Sequence, residues 1–312
     1  MYPLAPGAPN HSYAGGGSGY VPIVFAAKLL VVFYAMTLLS QITNTDYEGD
    51  IKKQGDTVII RELPDIVIED HAKGDKINYQ HLEAAKTTME IDRGKRFGFV
   101  VDPIDLAQSD IDFVPQWSDH AGKNMKISIE TDALADFYTD AHADNMGSAA
   151  GAISGDIDLG TPGTPLELTT SNIIEFIVNC GLVLDEQNVP EEGRKMTLPC
   201  WATALLKQSD IKDASLTGDN RSTLRTGRVG MVDRFEIYQS NLLHRTTDGS
   251  STVTNALFNH PMGISFATQL IISESLKNPD GFGELYRGLQ VFGWKVTKPQ
   301  AVGHAYIVKG AA

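Results

Sequence analysis

An α+β fold is predicted by three observations. Residues from about 49 to 102 are strand-rich, three segments between 128 and 208 carry helical apolar spacing, and apolar strand patterns return near the C-terminus. The chain has 312 residues, enough for about two domains. Hydrophobic residues at 42% against 21% charged are the balance of a globular protein with a large core.

The elements follow in chain order. Residues 1–19 (MYPLAPGAPNHSYAGGGSG) lack charge and are rich in Gly, Pro and Ser, the composition of an arm outside any core. Val21 to Ser40 are strongly apolar and approach the ~20 residues of a membrane span. Against a span, Lys28 would lie near the bilayer centre at a cost of about 2.5 kcal/mol or more. No basic flank marks a secretion signal either. The alternative is a helix whose Leu29, Leu30, Phe33, Tyr34, Leu38 and Ile42 bury one face against the same chain or a neighbour.

A turn over Thr45–Asp50, including Gly49, opens the strand-rich region. Val58, Ile59 and Ile60 form one short strand and Ile66, Val67 and Ile68 another, separated by Pro64. Gly55 is expected in a tight turn with φ > 0. Thr87–Asp92 and Arg96–Asp102 read as a hairpin turning at Arg93–Lys95. A ribbon of this kind has too little core to stand alone and must lie on something else.

Ser128–Asn145 reads as a helix, with Ile129, Leu134, Phe137, Tyr138 and Ala141 on one face and Asp132, Asp136, Asp140 and Asp144 on the opposite one. Gly147 is its expected cap. Residues 147–165 read as a linker. A second helix runs through Ile173, Ile174, Ile177 and Cys180, capped by Thr170 or Ser171, with Pro190 beyond its end. Lys195–Leu198 is a strand and Cys200–Gln208 a third helix. Asp213–Arg228 is a polar loop holding Arg221, Arg225 and Arg228. Val232–Ser240, Gly288–Lys298 and Gly303–Lys309 are strands, and Gly263–Lys277 fits helix and strand equally.

Charge and motifs exclude several functions. A net charge of -13 repels phosphate, and no basic stripe marks a general nucleic-acid binder. There is no phosphate-binding P-loop, nucleophile elbow or H-E-x-x-H motif. On a helix, residues two apart point ~200° away from each other, so His142 cannot share an ion with Asp140 or Asp144. Asp119-His120 has no Ser or Cys context for a triad. Cys180 and Cys200 lie in apolar surroundings, as buried thiols of a reducing compartment do. No catalytic residue, metal or cofactor is expected, and the chain does not read as an enzyme.

Three stretches carry a family resemblance: ITNTDYEGDIKKQGDTVIIRELPDI (Ile42–Ile66), NVPEEGRKMTLP through TGRVGMVDRFEIYQSNLL (Asn188–Leu243), and GLQVFGWKVTKPQAVGHAYI (Gly288–Ile307). In this order they resemble the major capsid proteins of tailed bacteriophages with the Hong Kong 97-like fold, most of all coats of short-tailed phages. Met231-Val232-Asp233-Arg234 departs from the small residues usual there.

The resemblance implies an N-terminal arm and helix (1–45), an extended loop (46–105), a peripheral domain with a long spine helix (106–160 and 276–312) and an axial domain (161–275). It implies hexamers and pentamers of this chain in an icosahedral virion capsid around double-stranded DNA. Assembly would occur in the bacterial host cytoplasm with portal and scaffolding proteins, a possible decoration or cement protein, and no membrane. Leu29, Phe33, Gly49, Gly55, Ile59, Arg61, Ile66 and Arg194 are the expected inter-subunit residues. Some relatives crosslink a loop Lys to an Asn; Lys52 and Lys53 lie in the corresponding region, but no partner is readable. Alternatives are an encapsulin-like cellular shell and a protein tethered to a membrane by residues 21–39.

Overall fold

The computed structural model describes residues 37–46, 57–61, 64, 66–71, 73–74, 76, 79–82, 86–103, 114–209, 230–279 and 281–310. In chain order these form α1 (Leu39–Ile42), β1 (Thr57–Arg61), β2 (Lys86–Glu90), β3 (Arg93–Val101) and α2 (Val114–Leu134). Next come β4 (Leu166–Leu168), α3 (Ile173–Glu186), β5 (Arg194–Leu198), α4 (Cys200–Gln208), β6 (Met231–Val232) and β7 (Phe235–Gln239). β8 (Arg245–Asp248), β9 (Ser251–Asn259), β10 (Ile264–Lys277), β11 (Glu284–Val296) and β12 (Val302–Lys309) complete the chain.

Two sheets organise two cores. The larger sheet runs β4-β12-β9-β5-β7-β6, with β8 paired to the first half of β9. α3 buries Ile173, Phe176, Ile177, Cys180, Val183 and Leu184, at helical spacing, against its Met196, Leu198, Phe235, Phe258 and Ile307. The smaller sheet runs β10-β11-β3. α2 packs Met125, Ile129, Ala133 and Leu134 there, with Ile264, Phe292 and Val296 from the strands and Ile42 from α1. β1 and β2 form a separate two-stranded ribbon. The base of the ribbon has a small core of its own: Ile60, Met89 and Ile91 close on Ala267 of β10 and Val291 of β11. Where the β2–β3 connection crosses β11 the residue is Gly293, and a Cβ there would collide with the Glu90 carbonyl and Ile91.

Several expectations change. β2 and β3 are not a hairpin: β2 pairs with β1, and β3 pairs with β11 along its whole length. Alternation placed both strands but could not name their partners. Ile66–Ile68 is not a strand; the Gln80 side chain makes both hydrogen bonds to the Val67 backbone instead, 3.2 Å from its N and 2.7 Å from its O. The ambiguous 263–277 segment is strand β10. Val232–Ser240 is a tight hairpin, because Asp233 and Arg234 both have φ > 0 (44° and 64°), as a type I′ turn requires. The Gly-rich 147–165 segment is no linker: Ala150 and Ile157 pair in a bridge, and both enter the larger core with Leu159. Cys180 is buried, but Cys200 is only half-buried, with Sγ between Asn241 and Gln239.

The long helix lies earlier than its pattern suggests. α2 spans Val114–Leu134, with Pro115 in its first turn, where a missing N–H costs nothing. Beyond it the chain continues in two short 3₁₀ turns, 137–140 and 143–145. The aspartates every fourth residue suggested a solvated helical face. Three of them instead meet bases on the sheet: Asp132 with Lys95 at 2.6 Å, Asp136 with Arg93 at 3.0 Å, and Asp140 with Lys295 at 3.8 Å. Asp136 also accepts from Trp294 Nε1 at 2.8 Å. Since residues 142–144 are not α-helical, the helical argument separating His142 from Asp144 fails; their side chains are 3.4 Å apart.

A polar seam joins the cores. Tyr138 stacks on His304 of β12 and on His244, with centroids 4.7 and 5.7 Å apart, and its hydroxyl lies 3.0 Å from His244 Nδ1. Asn255 sits between the two histidines, at 3.1 Å from His244 Nδ1 and 2.9 Å from His304 Nε2. Burial pushes His304 down to about 4. On the other side of α2, Glu130 Oε2 accepts from the backbone N–H groups of Leu38 (2.5 Å) and Leu39 (3.1 Å). Its burial raises its pKa, with the two amides opposing. Asn259 Nδ2 donates to the Ile42 carbonyl at 2.7 Å, and Asn44 bridges to Ser265. Together these contacts fix where the N-terminal segment enters the smaller core.

Candidate assembly surface

Six exposed large apolar side chains lie on the ribbon and the segment beyond it. Ile59 on β1 projects outward, while its neighbour Ile60 faces the small core, as strand alternation requires. Further out, Ile66 is 66% exposed and Ile68 92%, with Val67, Tyr79 and Leu82 also exposed. The Gln80–Val67 pairing holds two passes of this segment together and leaves these side chains outside. Burying each of them in an interface would contribute about 1.5–3 kcal/mol gross. Exposed apolar side chains of this size are the kind that an interaction surface uses.

Elsewhere Val100, Ile153, Met231 and Met262 are among the exposed apolar side chains, and two further places stand out. Val178 and Leu182, one turn apart, are exposed on the outer side of α3. Phe282, at the turn between β10 and β11, is 91% exposed beside an open cavity of about 370 Å³.

The eight expected contact residues separate into three groups. Ile59 and Ile66 are exposed on the surface just described, and Arg61 is the last residue of β1, in register with Lys86. Leu29, Phe33, Gly49 and Gly55, like Lys52, Lys53 and nearly all of the apolar 21–40 segment, lie outside the described residues.

Arg194 is a correction. Its side chain is 0% exposed and belongs to the interior of this protomer, not to its surface. The guanidinium donates to the carbonyls of Pro190 (2.9 Å), Gly181 (3.2 Å) and Val189 (2.6 Å), and pairs with Asp185 at 2.7 Å. It thereby satisfies carbonyls at the C-terminal end of α3 and in the loop beyond. Burial alone would raise Asp185; Arg194 and Arg234, both hydrogen-bonded to it, hold it below its usual range.

Sequence reasoning missed Tyr79 and Phe282. The only local signal for Phe282 is an aromatic residue flanked by Gly281 and Gly283 in a turn. Among the described residues, no group of three or more His, Cys, Asp or Glu side chains could hold a metal ion. Among the same residues, no helix is long and apolar enough to cross a membrane.

Solved structures supply the comparison. A chain from Mycobacterium phage Che8 superposes with a TM-score of 0.72 at 22% identity, covering 91% of this chain and 96% of that one. The capsid structure of cyanophage P-SCSP1u gives a TM-score of 0.72 at 15% identity, over 93% and 94% of the two chains. The chain has the phage capsid fold. The capsid of Ralstonia phage GP4 agrees, with a TM-score of 0.67 at 12% identity over 97% of this chain and all of that one. No family model matches the sequence, and no curated protein does. The capsid fold is thus kept where sequence likeness has nearly vanished, and the Hong Kong 97-like resemblance holds at the level of fold.

Proposed function

We propose that this chain is the major capsid protein of a tailed bacteriophage, a structural protein that assembles into hexamers and pentamers of an icosahedral shell around double-stranded DNA. The observation that carries this reading is the likeness to phage capsid chains over more than nine-tenths of both partners. The ribbon and the segment beyond it, with their exposed Ile59, Ile66 and Ile68, serve as the extended loop lying across a neighbour.

On this reading the smaller sheet with α2 forms the peripheral domain, and the larger sheet with α3 and α4 the axial domain. On the same reading β12, which pairs within the larger sheet, goes with the axial domain, and β3 and β10, which both pair with β11, go with the peripheral one. Portal, scaffolding and decoration proteins are the expected further partners, with assembly in the host cytoplasm. Each subunit contact can be weak, because one protomer uses many at once. The charge of -13 suits a shell that encloses DNA without binding it, since few cations are offered to phosphate. Electron microscopy of the purified protein tests the proposal: closed particles of one chain are expected, and a permanently monomeric protein overturns it. Tight, salt-insensitive binding of free subunits to duplex DNA would overturn the passive-lining part alone.

A further inference from the structure

We propose that the β10–β11 turn is a contact between copies of this chain, with the Phe282 ring of one copy seated in the cavity beside Phe282 of another. This rests on the shell reading and names one contact within it. The exposure of Phe282 is not looseness of the turn. Asn278 N donates to the Gly283 carbonyl at 2.9 Å, closing it. Gly283 has φ +129° and lies so close to the Val101 carbonyl that no Cβ would fit. The turn is therefore seated on the end of β3 and holds the 91% exposed ring out into solvent.

The cavity beside it is lined by Val101, Pro103 and Tyr286, and by one side of Phe282 itself. A cavity of about 150 Å³ is enough to take a benzene ring. At about 370 Å³, this one has room for a ring from another molecule, which its own outward-facing Phe282 does not supply.

Charge favours a second copy as that molecule. The cavity lining carries one cation, Lys277, and one anion, Glu284, both exposed. Lys277 and Glu284 stand opposite each other in the β10–β11 register without an ion pair among the described residues, and Glu284 accepts from Tyr286 Oη at 2.8 Å. An identical lining presents Glu284 to Lys277 and Lys277 to Glu284. This is a local attraction on a chain whose net charge of -13 otherwise makes its copies repel. Knob, hole and both charges lie at the same end of the β10-β11-β3 sheet, so the contact can be self-complementary and close by rotation instead of propagating.

The test uses the full-length chain with Phe282→Cys, Phe282→Ala, Lys277→Glu and the double variant Lys277→Glu/Glu284→Lys. In particles, the thiol introduced at 282 is expected to be protected from maleimide and to link two chains on oxidation; in free subunits it should react. Phe282→Ala should raise the protein concentration needed for assembly by about tenfold or more while leaving subunit unfolding unchanged. Lys277→Glu should weaken assembly, and the double swap should restore it. Particles in which the thiol at 282 stays as reactive as in free subunits, without linked chains, overturn this contact and leave the shell reading standing. Protection that appears only when a different protein is added also overturns it. Wild-type protein that forms no particles overturns the shell reading first, and this contact with it.

Discussion

Arg194 and His304 show how a single side chain is reassigned by its surroundings. Arg194 lies within one of the stretches that resemble phage coats, yet its role is to bind three carbonyls and Asp185 inside the protomer. Truncating one member of a buried pair strands the other, at about 3–5 kcal/mol. Arg194→Ala is therefore expected to lower subunit stability by that amount in urea unfolding. Arg194→Lys should recover only part of it, because an ammonium lacks the fork that reaches all four acceptors. A loss of assembly with unchanged subunit stability would return Arg194 to the surface.

His304 predicts a pH effect with a definite sign. Its folded pKa of about 4 lies below the ordinary 6.5, so the folded state favours the neutral ring. As pH falls from about 6.5 the unfolded chain takes up the proton first, and stability declines until about pH 4. The loss should not exceed about 3 kcal/mol. Glu130 works in the opposite sense: its raised pKa makes its contribution greatest at low pH and smaller as pH rises. His304→Gln should flatten the slope between pH 6.5 and 4 in stepwise urea titrations. An unchanged slope would place the acid sensitivity elsewhere.

At the scale of elements, the strands were legible and their pairing was not. Alternating Phe97, Phe99 and Val101 reveals a strand, but the partner of β3 lies nearly two hundred residues away on β11. Gly293 is where that topology bears on one residue, since the β2–β3 connection passes directly over it. Gly293→Ala should destabilise the subunit by about 1–3 kcal/mol through overpacking, and Gly293→Val by more. Thermal unfolding of the two variants in that order checks the crossing; a neutral Gly293→Ala would mean that the connection can move aside.

The helix prediction failed for a different reason. The aspartates at 132, 136 and 140 recur at helical period because they face basic residues of the sheet, and only the first of them lies within α2. The real helix begins at Val114, and its first half is polar around Gly122 and Lys123, where the buried face is too sparse to read.

Across the whole molecule, burial is unevenly shared. Two well-packed cores contrast with a ribbon whose base alone is covered and whose outer residues meet solvent. A double substitution Ile66→Asp/Ile68→Asp should leave subunit unfolding within about 0.5 kcal/mol of wild type, because both side chains are already in water. On the shell reading the same change should suppress particle formation, read by sedimentation, since the ribbon would gain its apolar burial on association. Normal particles from this variant would remove the segment from the interface.

The sequence by itself determined the α+β class, most element positions, the expectation that the ribbon needs support, and the resemblance to phage coats. These follow from periodicity, turn chemistry and local motifs, which a chain carries without folding. Only the tertiary structure decided which strands pair, that the Gly-rich 147–165 segment packs into a core, and that Arg194 faces inward. Pairing and burial depend on residues distant in the chain, and a local pattern holds no record of its partner.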